Sequence, residues 1–382
     1  MSSVFEILAV CPPGLEKVLK KEIEGLGLSG RETKGGVIVK GGLKELYSLN
    51  LWSRVASRIL LKVGRFRATT FKELVEKVAR YPWEIYLAEA PGVRLRVTCR
   101  RSRLYHSQAV AERVVAGISR RLGRDLPLSK DEEAPLLVVR LFKDEVLLRV
   151  DSSGGDLFKR GYKVAVGPAP LRENLAAALV LLSSWDGKSS FLDPFCGTGT
   201  ILIEALWWAC NRAPGLGRSF AFEKWKNFSA PLWRELLLDA EKRQRQPLAR
   251  FYGSDRDPKA VQATFKNAEA AGVAAYLNLE IKDVAHLLPP EKTPGYVVTN
   301  PPYGARLKAS LGPLQALARR FAGPFREWAL SFIFPSPRLP VRFPFPLERL
   351  TSFAHGGRRV FVFRRKETPR DAEFGPGSGN VL

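Results

Sequence analysis

Phe191-Leu192-Asp193-Pro194-Phe195-Cys196-Gly197-Thr198-Gly199-Thr200 decides the fold. A short apolar run ends in an acidic residue, turns through two glycines and enters the helical pattern Thr200-Ile201-Leu202. Glycine lets the backbone take positive φ and come close to a ligand. Amides in such a turn and at the start of a helix can donate to an anionic or carbonyl group. Dinucleotide folds use a comparable turn, but the spacing here is not G-x-G-x-x-G. A carboxylate at Asp193 would also repel a pyrophosphate, whereas it suits an ammonium group. A Walker-type phosphate loop fails as well, because Leu182 stands where Gly187-Lys188-Ser189 would require the first glycine. The stretch reads as the tip of a parallel strand that grips a nucleoside cofactor. Its binding group is Asp193, Pro194, Phe195, Cys196, Gly197, Thr198, Gly199 and Thr200, with Glu204 on the helix that follows.

Downstream, strand and helix signals alternate. Strands are expected at Phe251 to Asp255, Ala275 to Ile281, Tyr296 to Asn300 and Ala329 to Phe334, with helices starting at Gly199, Pro258 and Leu311. Arg349 to Phe353 and Arg359 to Arg364 flank Gly356-Gly357 as a closing hairpin. Repeated βα units imply a mostly parallel sheet covered on both faces. Upstream, residues 1–65 read as a small α+β unit, with helices at Leu15 to Ile23 and Leu43 to Leu49 and a strand at Arg58 to Val63. The pattern renews itself over 66–155: helix Phe71 to Ala79, strand Val93 to Thr98, helix Ser107 to Leu122, then two strands turning at Lys143-Asp144. Residues 156–170 form a linker, 171–366 the α/β domain and 367–382 a flexible tail.

The charge balance points to a partner. Lys and Arg number 61 against 38 Asp and Glu, a formal net charge of +23, and a phosphate backbone rewards such a surplus. Alternation puts Arg94 and Arg96 on one strand face, and Arg100, Arg101 and Arg103 follow in the adjoining loop. Lys159, Arg160, Arg306 and Lys308 lie near the implied mouth of the site, placed to hold flanking phosphates. Nucleic acid is the expected partner. No run of about 18 apolar residues is present, so no membrane span is expected. The N-terminus includes Glu6 and lacks the basic region of a secretory signal. Four cysteines and three histidines show no metal-ligand spacing. A monomer in a reducing cytoplasm, without a metal, is expected.

The other strand ends complete the pocket. Asp255 closes the second strand of the α/β domain, where a carboxylate can accept both ribose hydroxyls, with Arg256 beside it. Asp257 before Pro258 is better read as a helix N-cap. Asp283 is placed to accept from an adenine amino group, with Val284 near the ring. Asn300-Pro301-Pro302-Tyr303 ends the fourth strand, and consecutive prolines hold that turn rigid. The Asn300 amide oxygen and the Pro301 carbonyl can both accept from one NH2 group, and Tyr303 offers a ring for stacking a base. Asn300 also borders the cofactor. No strong base is needed before attack, because the proton leaves after the nitrogen becomes cationic, so positioning carries much of the acceleration. A base in folded nucleic acid must be unpaired or flipped out to reach such a pocket.

Asp193 to Thr200 together with Asn300 to Tyr303 resembles the class I S-adenosylmethionine-dependent amino-methyltransferases. Three further stretches narrow the likeness: Pro170 to Leu179 resembles the helix before the cofactor site, Phe158 to Tyr162 the linker after a THUMP RNA-binding domain, and Ala213 to Trp225 an insertion of the 23S ribosomal RNA guanine-N2 methyltransferases. The resemblance implies a ferredoxin-like part, a THUMP domain and a Rossmann-like catalytic domain with a mostly parallel seven-stranded sheet. It also implies S-adenosyl-L-methionine as cofactor, S-adenosyl-L-homocysteine as by-product, N2-methylguanine as product, and RNA as partner: 23S rRNA or its precursor first, tRNA second. Thr198 stands where Ser is common, and the second catalytic domain of some fused ribosomal enzymes is lacking, so one modification is expected. A DNA adenine-N6 methyltransferase carries a similar motif pair, and a non-catalytic RNA-binding protein is the other alternative. Trp207, Trp208, Phe220, Phe222 and Trp225 are expected to pack as core rather than to stack on bases.

Overall fold

Alternating apolar residues build the first layer. Ile7, Ala9, Val37, Val39, Ile59 and Leu61 are at most 1% exposed and line one face of a sheet. The computed structural model describes residues 4–167, 170–303 and 311–366. The first half runs β1 (Phe5–Val10), α1 (Glu16–Gly25), β2 (Gly30–Thr33), β3 (Gly36–Gly41), α2 (Leu43–Trp52), β4 (Arg58–Arg67), α3 (Phe71–Val78), α4 (Glu84–Leu87), β5 (Arg94–Arg100), α5 (Ser107–Leu122), β6 (Leu136–Phe142) and β7 (Glu145–Asp151). The strands lie in the order β2-β3-β1-β4-β7-β6-β5. The two units expected to meet near residue 65 therefore share one sheet, because β4 pairs with β1 along one edge and with β7 along the other. β4 also outruns the expected Arg58 to Val63. A register shift between Lys62 and Gly64 carries it on to Arg67. Any Cβ at Gly64 would lie 2.2 Å from the Tyr81 ring, so the close approach needs glycine. Lys143 and Asp144 take φ of 51° and 62°, as the expected tight hairpin requires.

The second half runs α6 (Glu173–Leu182), β8 (Phe191–Asp193), α7 (Thr200–Ala209), α8 (Ala230–Lys242), β9 (Phe251–Asp255), α9 (Pro258–Ala270), β10 (Leu277–Ile281), β11 (Tyr296–Thr299), α10 (Leu311–Ala322), β12 (Ala329–Phe334), β13 (Leu347–His355) and β14 (Arg358–Arg365). Its strand order is β10-β9-β8-β11-β12-β14-β13. The first five strands are parallel, and the closing hairpin adds antiparallel pairs. This is the expected α/β domain with a seven-stranded sheet. Chain order reverses at β8, which lies between β9 and β11. Ligands of open α/β sheets bind at such a switch point, outside the carboxyl ends of the strands.

The Ala213 to Trp225 insertion and α8, a helix not anticipated, join the halves. Phe222 stacks on Tyr47 of α2 at 4.4 Å and meets Trp233 of α8 edge-on at 5.1 Å. Trp225 meets Tyr86 at 5.0 Å. These aromatics are core, as expected. Beside them the Arg54 guanidinium donates to the Arg212 carbonyl at 2.7 Å and the Trp207 carbonyl at 3.3 Å. Burial lowers the Arg54 pKa to about 10, opposed by Glu204 and Glu22. Among the described residues, no helix is long and apolar enough to cross a membrane.

Candidate active site

The switch point is where the glycine turn and the proline corner meet. β8 and β11 are neighbours, and the Thr299 hydroxyl donates to Asp193 Oδ1 at 2.6 Å across the gap. That oxygen also accepts from the Phe195 amide at 3.1 Å. Gly199 caps α7 with φ 79°, and a Cβ there would lie 2.7 Å from Thr264 Cγ2. Gly197, with φ 56°, aims its amide at Asp255 Oδ2 at 3.1 Å. From behind, Thr264 donates to the Gly197 carbonyl at 2.9 Å, and Asn267 Nδ2 to the Thr198 carbonyl at 2.9 Å. Both α9 side chains are fully buried.

The proline corner keeps an acceptor in reserve. Asn300 Oδ1 is buried and has no hydrogen-bond partner among the described residues. Leaving such a group unpaired costs about 1–3 kcal/mol, so Asn300 Oδ1 is an acceptor open to a further donor. Pro301 is buried and Pro302 exposed. Tyr303 is half-buried, its ring edge-on to Phe334 at 6.5 Å, and burial pushes its phenol well above the usual range.

The residues fit a nucleoside cofactor on this geometry. The turn cannot hold a side chain at Gly199, its Gly197 amide turns to Asp255 and its Gly199 amide to the Cys196 carbonyl, and Asp255 keeps lone pairs beyond the amides of Gly197 and Asp257, which lie at 3.1 and 3.0 Å. Residues 160–330 match the family model of the RMKL-like methyltransferase domain, and residues 6–60 match the RlmL ferredoxin-like domain. A solved structure from Listeria monocytogenes, named a predicted N6-adenine-specific DNA methylase, is 31% identical over 94% of this chain and 96% of its own, with a TM-score of 0.79. The chain belongs to the RMKL-like methyltransferase family. SMU.472, a methyltransferase solved in complex with SAH, is 29% identical over 96% of this chain and 99% of its own, with a TM-score of 0.81. TrmN from Thermus thermophilus, at 22% identity over 95% of this chain and all of its own, shares the fold with a TM-score of 0.69. The two domain matches are those of an RlmL-type 23S rRNA methyltransferase, and the family uses S-adenosylmethionine.

In this methyltransferase several expected site residues take other places. Arg160 offers no charge to a phosphate. Its side chain is 1% exposed and turns onto Glu204 at 3.5 Å, with one NH2 on the Arg54 carbonyl at 2.6 Å. Glu204 is equally internal: its Oε1 accepts from the Tyr162 hydroxyl at 3.0 Å and ties the linker to α7, while its Oε2 has no hydrogen-bond partner among the described residues. The Val284 side chain is 4% exposed and packs with Leu192, Leu287 and Val297 in the core. Asp283 caps the short helical turn at Val284–His286 through the Ala285 amide at 2.8 Å. Asp257 caps α9, as its neighbour Pro258 suggested. Arg256 is exposed beside Asp255. Lys159, Arg96, Arg100, Arg101 and Arg103 are exposed, whereas half-buried Arg94 gives its Nε to the Ala134 carbonyl at 3.0 Å. Arg306 and Lys308 lie outside the described residues. Thr264, Asn267 and Thr299 were not anticipated. Only the motif spacing around them could have drawn attention to them.

Burial also sets the charge of the site. Asp193 is 1% exposed, and desolvation, reinforced by Asp255, raises its pKa to about 7 against the pull of its Thr299 and Phe195 donors. The Cys196 thiol is pushed far up by burial and stays neutral.

Proposed function

We propose that the enzyme transfers a methyl group to the exocyclic N2 of a guanine in RNA, with 23S rRNA or its precursor the first candidate substrate and tRNA the second. The observation that carries this is the buried Asn300 Oδ1, without a partner among the described residues and one residue beyond Thr299, which bonds Asp193 at the start of the glycine turn. Asn300 Oδ1 and the Pro301 carbonyl accept both hydrogens of the amine. Held so, the nitrogen turns its lone pair out of conjugation with the ring, and the acceptors stabilise positive charge as it develops. S-adenosylmethionine, when bound, supplies the electrophilic methyl carbon. Asp193 faces its ammonium, Asp255 its ribose hydroxyls and Asp283 its adenine amine. The amine proton leaves after transfer, so no buried base is required. The RlmL-type domain pair and the surplus of basic residues support RNA over DNA. The guanine N2 rests on the sequence resemblance.

Asn300→Ala should abolish turnover on unmodified RNA while RNA affinity stays within threefold of wild type. Turnover within threefold of wild type would remove the amine grip from the reaction.

A further inference from the structure

The two edges of the α/β sheet differ. β13 closes one edge and is covered: its Thr351 hydroxyl donates to the Gly14 carbonyl at 2.6 Å, and a Cβ at Gly14 would lie 2.0 Å from the Ser352 carbonyl oxygen. β10 closes the other edge, and no strand among the described residues pairs with its outer side. The Lys282 amide donates inward to the Asp255 carbonyl at 3.0 Å. Peptide groups alternate in direction along a strand, so those of Leu279 and Ile281 face outward. Side chains alternate between the two faces. Leu279 and Ile281 line an open groove of about 460 Å³ with Val261 and Phe265 of α9, room enough for a neighbour's side chains. Ile281 is 59% and Phe265 47% exposed, so this groove leaves apolar surface in water. Asn278, Glu280 and Lys282 take the opposite face of the strand. An edge with outward peptide groups beside exposed apolar side chains is a template for another strand.

We infer that the strand is a second copy of β10, and that the protein forms a two-fold dimer through this edge. The monomer expected from the sequence gives way to it. The charges of β10 select both the partner and the register. A two-fold axis through an antiparallel pair sets one residue opposite its own copy and the flanking residues opposite each other. With the axis at Ile281, Glu280 stands opposite Lys282 of the second copy, and Lys282 opposite the second copy's Glu280. The segment is then its own complement in charge, twice over, which a strand of unrelated sequence would not be. Glu280 and Lys282 already lie within 2.8 Å of each other in one chain, so the four charges form one row on one face. An axis at Glu280 would set that carboxylate against its own copy. An axis at Leu279 would put Lys282 opposite Tyr276, before the strand begins, with no acid to face it. On the other face the axis at Ile281 brings the two exposed isoleucines together and joins one apolar groove to the next, which removes apolar surface from water. The outward peptide groups of Ile281 meet their own copies, as a hydrogen-bonded antiparallel pair requires.

Sedimentation of the full chain over a range of concentrations should show a reversible dimer of the 42.6 kDa chain. Glu280→Lys and Lys282→Glu should each weaken that dimer about tenfold or more, because the axis repeats every like-charge contact. The double variant, Glu280→Lys with Lys282→Glu, should return to within about threefold of wild type, since the two charges act as one pair. Circular dichroism confirms that each variant is folded. Ile281→Cys should give a disulfide-linked dimer on mild oxidation, because residues in a hydrogen-bonded antiparallel pair sit about 5.5 Å apart at Cα. Asn278→Cys lies off the axis and should stay unlinked, with wild type as the control for the native cysteines. A wild type that remains monomeric at every concentration would overturn the inference. So would a double variant as weak as either single one, or cross-linking at Asn278 as ready as at Ile281.

Discussion

At the scale of one residue, Asp193 carries opposing demands. It must be charged to face an ammonium, yet it is buried, and burial raises its pKa to about 7. An unfolded aspartate titrates near ~3.9. Between those values the folded protein holds a proton that the unfolded chain has released. The stability contribution is therefore full at acid pH and is lost as pH rises through about 7. Asn cannot ionise but can still accept from Thr299 and Phe195. Asp193→Asn should thus leave the apo-protein's Tm unchanged near pH 4.5 and raise it at pH 8, while weakening S-adenosylhomocysteine binding at pH 8 at least tenfold. Calorimetric scans and titrations read both. A Tm lowered equally at the two pH values would show that the carboxylate is not buried at the cost described.

At the scale of the element, α9 sets the shape of the glycine turn from behind. Asn267 Oδ1 accepts from the Ala165 amide at 2.8 Å, and its Nδ2 donates to the carbonyls of Ala165 and Thr198, both at 2.9 Å. One amide therefore registers the linker against the turn. Asn267→Ala leaves these buried backbone groups unpaired, at about 1–3 kcal/mol each. The cofactor Kd should rise at least tenfold with kcat at saturating cofactor within threefold of wild type. A fall in kcat with unchanged Kd would place Asn267 in a different role. Such residues were hard to read from the sequence. A polar residue on an amphipathic helix looks solvated, and only the packed fold shows that Asn267 and Thr264 are fully buried. Arg160 misled for a related reason, because a charged linker residue turns inside and pairs with Glu204 on an apolar helix. The glycine turn and the Asp257-Pro258 cap were legible because short-range backbone rules fix them.

At the scale of the molecule, the α/β domain was legible in the order of its strands and in two turns, since βα repetition leaves few topologies open. The joining of the N-terminal units into one sheet was not. It depends on β4 pairing along both edges and on a bulge at Gly64, and neither leaves a local pattern. The halves meet through Arg54, Tyr47 and the aromatic insertion. That architecture joins a basic N-terminal sheet to the glycine turn and the proline corner of the α/β domain. In the proposed reaction the methyl group arrives on a guanine amine. The most direct measurement is incubation of the enzyme with isotopically labelled S-adenosylmethionine and unmodified total RNA, followed by separation of the RNA species and identification of the labelled nucleoside. Label is expected in N2-methylguanosine, in 23S rRNA before tRNA. Label in another nucleoside, with none in RNA guanosine, would contradict the proposed reaction.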